Sequence, residues 1–227
     1  MRFARNTMFV ALAAATLGVV APASAEPAYL YGGYLAGSFP SGDWGDIAGF
    51  GLALDGTNVS YPKVDKPFAI RSSAGLLYNF SRTVGVPQAN LAPNSKLDLE
   101  TKNWSLYFGV GPEFSKKGSN VSPFIFGSVG FDTYWTSSEL AGTANSSPYS
   151  ANHGDSRISF AWAGGVGIRK SVTGGESIEV SVEYRSGTSH QFLLPNEVTE
   201  SGGVVTANRE SHASNQILLR IGTMFGY

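Results

Sequence analysis

Three histidines are the first residues to test for chemistry: His153, His190 and His212. Metal sites legible in sequence set their ligands at short, fixed spacings. These three are scattered over predicted loops, so each is expected to be an ordinary solvated side chain. A nucleophilic serine needs a histidine base within hydrogen-bond reach and a third group to orient that base. In "EYRSGTSHQFLLPN" Ser189 adjoins His190, but neighbouring side chains on a strand face opposite ways. "SGDWGDIAG" holds Asp43 and Asp46; two loop aspartates fall short of a calcium shell and suit turns better. Glu179 and Glu183 lie near Arg185 and are expected to pair with cations rather than to serve as acid and base. "GVGPEF" and "AGGVGIR" alternate like strands and precede no helix, so a phosphate-cradling loop is not expected. No catalytic, cofactor-binding or metal site is therefore assigned, and the chain is not expected to be an enzyme.

The elements that would position these residues explain more. "MRFARN" carries Arg2 and Arg5, an apolar run follows, Pro22 breaks it and "ASA" closes at Ala25. That pattern reads as a secretory signal peptide, residues 1–25, cleaved after Ala25. The remaining segment, 26–227, suits one domain. Without Arg2 and Arg5, 14 of the 16 basic residues remain against 17 acidic ones, a net charge of −3. No basic footprint for nucleic acid is present. Cysteine is absent, which excludes a disulfide framework. Charged residues make up 15%, well below the roughly 25% of soluble domains.

Alternation with period two recurs along the chain. In "WSLYFGVGPEF" Trp104, Leu106, Phe108 and Val110 share one face, and Ser105, Tyr107, Gly109 and Glu113 the other. "RISFAWAGGVGIR", "SIEVSVEYRS" and "NQILLRIGTMFGY" repeat the pattern. Tyr29–Phe39, Phe50–Tyr61, Phe68–Ser81 and Phe124–Trp135 fit less cleanly. Eight strands result, with short links such as "YPKVDKP", "SKKGSN" and "VTGGES" at one end and long Ser-, Asn- and Gly-rich loops at the other. The fold class predicted is all-β: an eight-stranded antiparallel up-and-down transmembrane β-barrel. Closure lets every backbone polar group find a partner inside hydrocarbon.

Asp55, Arg71, Asp132, Arg157, Glu179, Glu183, Arg185 and Arg220 fall opposite the apolar face. They are expected inside the barrel, paired by sign, because unpaired buried charges are costly. Eight strands leave a lumen that side chains can fill. Aromatic residues near strand ends, among them Tyr31, Trp104, Phe114, Phe225 and Tyr227, are expected to form girdles at the membrane boundary.

These residues resemble a known family. "RIGTMFGY", with Arg220, Gly222, Phe225 and Tyr227, looks like the C-terminal signal that the barrel-assembly machinery reads in bacterial outer-membrane barrels. "AYLYGGYLAGSFPSGDW" resembles the first strand and loop of the OmpA/OmpX-like small outer-membrane β-barrels. The resemblance implies a Gram-negative outer-membrane location, lipid and lipopolysaccharide as surroundings, and a barrel without an appended peptidoglycan-binding domain. Some such barrels deacylate lipid A through a His-x-Ser-Asn motif. Here Gln191 and Phe192 follow His190, which removes the place of the nucleophile.

The function expected is a non-enzymatic, monomeric envelope barrel whose loops serve surface interaction, adhesion or envelope integrity. The alternatives are a narrow porin-like channel and, behind it, a lipid A-modifying enzyme. Loop 191–213 is the candidate surface for a partner. Its "EVTE" and "VVTAN" flank Gly202-Gly203, which reads as a hairpin tip, with Glu197, Glu200, Arg209 and Glu210 expected in solvent. A soluble lipocalin-like barrel shares the alternation but turns the apolar face inward.

Overall fold

The computed structural model describes residues 28–63, 65–116, 120–172 and 176–226. The expected signal peptide, residues 1–25, and Tyr227 lie outside the described residues.

Eight strands close into one antiparallel barrel. They are β1 (Ala28–Ser41), β2 (Gly51–Tyr61), β3 (Phe68–Gly85), β4 (Lys96–Ser115), β5 (Val121–Ala144), β6 (Ser147–Ser171), β7 (Glu176–Phe192) and β10 (Glu210–Gly226). Consecutive strands pair, and β10 closes on β1 through a ladder from Leu30↔Gly226 to Ser41↔Asn215. The up-and-down order follows from the short links 62–67, 116–120 and 172–175, which leave room only for antiparallel neighbours.

The faces decide between the membrane barrel and its soluble rival. Ile221, Leu35, Leu54 and Leu76 stand opposite one another on four neighbouring strands. Trp162 and Ile221 are 45% and 56% exposed, whereas Arg220 and Glu183 are 2% and 1% exposed. An apolar exterior around an ionic interior is stable only where the surroundings are hydrocarbon. The barrel spans a membrane. Rings gather at the loop-side margin of this belt: Tyr78 lies 4.4 Å from Trp104, and Phe39 lies 5.3 Å from Phe50.

Close approaches inside require small residues. A Cβ at Gly75 would fall on the Tyr107 ring, and one at Gly222 on the Tyr34 ring and the Gly33 carbonyl.

The strands outrun the belt at the loop end. The stretch expected as a loop between Trp135 and Arg157 is ordered ladder, carrying the β5–β6 hairpin up to a two-residue tip at Asn145 and Ser146. Both tip residues have positive φ, 46° and 63°, the twist that two-residue hairpins favour. Serine and small residues along this stretch weaken its apolar alternation, so periodicity alone stops short of it. "SKLDLETK" likewise lengthens β4, which begins at Lys96.

The remaining loop segments fold over the barrel mouth. α1 (Asp43–Ile47) is a short helix after β1. A 3₁₀ turn, Pro195–Glu197, leads into the hairpin β8 (Val198–Ser201) and β9 (Val204–Ala207). Gly202 and Gly203 form its tip with φ of 60° and 85°. This hairpin is a separate two-stranded sheet rather than a continuation of the strands flanking it, because the chain turns through Leu193–Glu197 first.

Candidate functional site

Two assemblies could carry function: the charged lumen and the cap over it.

In the lumen, alternation along the strands delivers the charges and the register brings them together. Near the turn end Arg71 donates to Glu113 at 2.8 Å and to Glu179 at 2.7 Å. Arg169 donates to the same two carboxylates at 3.0 and 2.8 Å, and to the Tyr61 hydroxyl at 3.0 Å. The result is a ring of alternating sign. Further toward the loops Arg220 donates to Asp55 at 2.5 Å and to Glu183 at 3.1 Å. Arg185 bridges Glu183 at 2.8 Å and Asp132 at 3.1 Å. The Tyr107 hydroxyl donates to Asp55 at 2.8 Å.

Aromatic rings complete the filling. Arg185 lies 4.0 Å from the Tyr107 centroid, Arg220 4.5 Å from Tyr34, and Arg71 4.7 Å from Phe126. Guanidinium groups stack on rings and use several donors at once, which suits a crowded, water-poor interior. Every carboxylate in the two networks faces at least one arginine. None is left as a general base. Glu179 and Glu183 belong to different networks, so they do not form a catalytic pair.

Seven of the eight expected interior charges, all but Arg157, are buried in these networks. Arg157 corrects the expectation. Its side chain is 43% exposed and donates to the Gln191 side chain at 2.5 Å. It shares the inward parity of Ser159, but the β6–β7 ladder stops at Ala161↔Gly187 while β5–β6 pairing continues above. The wall opens there, and Arg157 reaches solvent. Alternation gives the face of a residue and says nothing of its depth. Glu113 and Arg169 were missing from the expected set, although their parity was inward.

The cap is built the opposite way. Trp44 and Ile47 of α1, Leu97 and Leu99 of β4, Leu140 of β5, Phe192–Leu194 and Val198 form one buried apolar cluster. The Trp44 ring packs on Phe192 and Tyr134, with centroids 5.0 and 5.6 Å away. Arg82 donates to the Gly45 carbonyl, tying α1 to β3. Glu200, expected in solvent, is 6% exposed. Its carboxylate accepts from the Ala92 amide at 2.9 Å, the Ser95 hydroxyl at 2.8 Å and the Gly203 amide at 2.6 Å. These three donors hold its carboxyl below the usual range. The β8–β9 hairpin is thereby pinned to the loop after β3.

The histidines diverge. His190 Nε2 meets the Ser159 hydroxyl at 3.0 Å; the Ser189 side chain lies outside the described residues. Burial pushes the His190 imidazole down to about 4. Its Nδ1 is buried without a hydrogen-bond partner among the described residues, so no group there orients it as a base. Burial and then Arg209 lower His153. His212 differs: Nδ1 lies 3.0 Å from Asp43 and Nε2 2.8 Å from Glu197. Burial alone would lower it, but the two carboxylates raise it above the ordinary value. No sequence spacing pointed to this contact, since Asp43 lies 169 residues from His212 in the chain.

No family model matches the chain, and no curated protein matches it. Solved structures with a similar shape include Neisserial surface protein A, at 11% identity and TM-score 0.46, covering 89% of this chain and 100% of that one. Ail, the attachment invasion locus protein of Yersinia pestis, solved with the heparin analogue sucrose octasulfate, gives 13% identity and TM-score 0.46 with the same coverage. A major outer membrane protein of Thermus thermophilus gives 13% identity and TM-score 0.49, covering 87% of this chain and 99% of that one.

Proposed function

We propose that the chain is a non-enzymatic barrel of the bacterial outer membrane that presents its cap for surface interaction. The observation that carries this reading is the join between two unlike regions. A lumen filled by paired charges supports neither a wide channel nor a substrate site. Above it stands an ordered cap, part of which is an open edge: β9 pairs with β8 alone among the described strands, and Val204 is 67% exposed. Such an edge accepts an extended partner segment through backbone hydrogen bonds. Loop 191–213 is thus the surface proposed for a partner.

Export through a signal peptide cleaved after Ala25, OmpA/OmpX-like membership and a monomeric state in lipopolysaccharide-bearing membrane belong to the same proposal. Recognition by the barrel-assembly machinery does as well. Arg220 of the proposed assembly signal serves the interior network, while Gly222 admits Tyr34 and Phe225 faces lipid, 43% exposed. The test is fractionation with gel migration. The chain should sediment with outer membranes, and unboiled samples should migrate differently from boiled ones. Recovery in the soluble periplasm would refute it. Planar bilayers should stay silent; discrete conductance steps would favour the narrow-channel alternative.

A further inference from the structure

The rim of the cap gathers His212 of β10, Glu197 of the 3₁₀ turn and Glu210 at the start of β10. One ligating atom from each, a ring nitrogen or a carboxylate oxygen, lies within 4.8 Å of the others. The imidazole is held on three sides: Nδ1 by Asp43 at 3.0 Å, Nε2 beside Glu197 at 2.8 Å, and its face on Phe192 at 5.2 Å between centroids. Glu197 is held too, because its second oxygen accepts the Leu194 amide at 3.0 Å. Histidines that bind metals give their other ring N–H to a carboxylate, which fixes the tautomer and aims the free nitrogen. Asp43 occupies that place.

We propose that His212 Nε2, Glu197 and Glu210 bind a zinc-class dication at the rim of the cap, with Asp43 orienting the imidazole. One imidazole and two carboxylates with a fourth position open to water or a partner group suit zinc. Calcium, which takes about six to eight oxygens, is served poorly. The ion would join β10 to the 3₁₀ turn and, through Asp43, to α1, fixing the cap beside its open edge. The proposal concerns this chain's own side chains and holds whether or not the cap meets a partner.

The competing arrangement is an imidazolium shared by Asp43 and Glu197 with no metal. Glu210 separates the two, since it belongs to the metal set and takes no part in either His212 contact. The experiment is calorimetric titration of the untagged, refolded chain in detergent with zinc chloride, and with calcium chloride as a control. Heat-modifiable migration confirms that each variant is folded. Zinc should bind once per chain, calcium should not, and Asp43→Asn should weaken zinc binding by about 10- to 100-fold. Glu210→Gln, an exposed change that leaves folding intact, should weaken it at least about tenfold, as should His212→Ala. The absence of zinc binding, or equal binding by Glu210→Gln and the wild type, would overturn the site.

Discussion

The lumen and the cap bury opposite kinds of residue within one chain. Between the girdles, the buried charges are Arg71, Arg169, Arg185 and Arg220 with their carboxylates, set beside apolar residues such as Leu77, Leu218 and Met224, while a larger apolar set that includes Leu35, Val180 and Ile221 stands outside. Above the girdles, the buried set is Trp44, Ile47, Leu97, Leu140 and Phe192, and charges such as Asp43 and Arg157 are exposed. The difference is one of solvent. In hydrocarbon, moving an apolar side chain inward gains nothing, so closure and polar pairing govern the arrangement. In water, apolar burial supplies the driving force again.

Arg220→Met gives the sharpest test of this contrast. It leaves Asp55 and Glu183 facing each other in the lumen without their shared cation. Breaking a buried pair from one side costs about 3–5 kcal/mol. The folded fraction in a urea titration on lipid vesicles should fall accordingly, and a stability within about 1 kcal/mol of the wild type would break the contrast.

Trp44→Ala should cost a similar amount, about 3–5 kcal/mol, but locally. Limited proteolysis should cut the loops while heat-modifiable migration persists. Joint loss of barrel and cap would merge the two regions into one cooperative unit.

Leu219→Arg probes the lipid face. An arginine near the bilayer midplane costs roughly 2–4 kcal/mol, less toward the interface, and the vesicle titration measures it. Since Leu219 is 48% exposed, a soluble barrel would tolerate the change.

His190 links the two regions and gives a smaller, pH-dependent effect. Its folded value, about 4, lies below the ordinary 6.5, so the unfolded chain binds the proton more readily. The neutral imidazole's contribution is full above about 6.5 and declines as pH falls toward about 4. His190→Gln should flatten that window in the urea midpoint, and an unchanged slope would count against it. Arg157→Ala should do least, within about 1 kcal/mol, as for exposed pairs; a loss like that of Arg220→Met would place it functionally among the lumen charges.

Much of the barrel was legible because period-two alternation is written locally and survives without knowledge of neighbours. The eight spanning segments and the inward parity of Asp55, Arg71 and Glu183 came directly from it. What failed did so for physical reasons. The upper β5–β6 hairpin carries serine, glycine and asparagine, and it is ordered by pairing with its neighbour rather than by an apolar stripe. Glu200 reads as a surface residue until three donors from separate segments surround it. Arg157 has the right face at the wrong height.

The sequence by itself determined the alternation, the turn positions and the set of charges that must be enclosed, since these depend on backbone geometry repeated every two residues. Only the tertiary structure decided which charge meets which, where the wall opens beside Ala161, and that Asp43, Glu197 and His212 converge. Strand register and loop packing join residues far apart in the chain, and no local pattern encodes those distances.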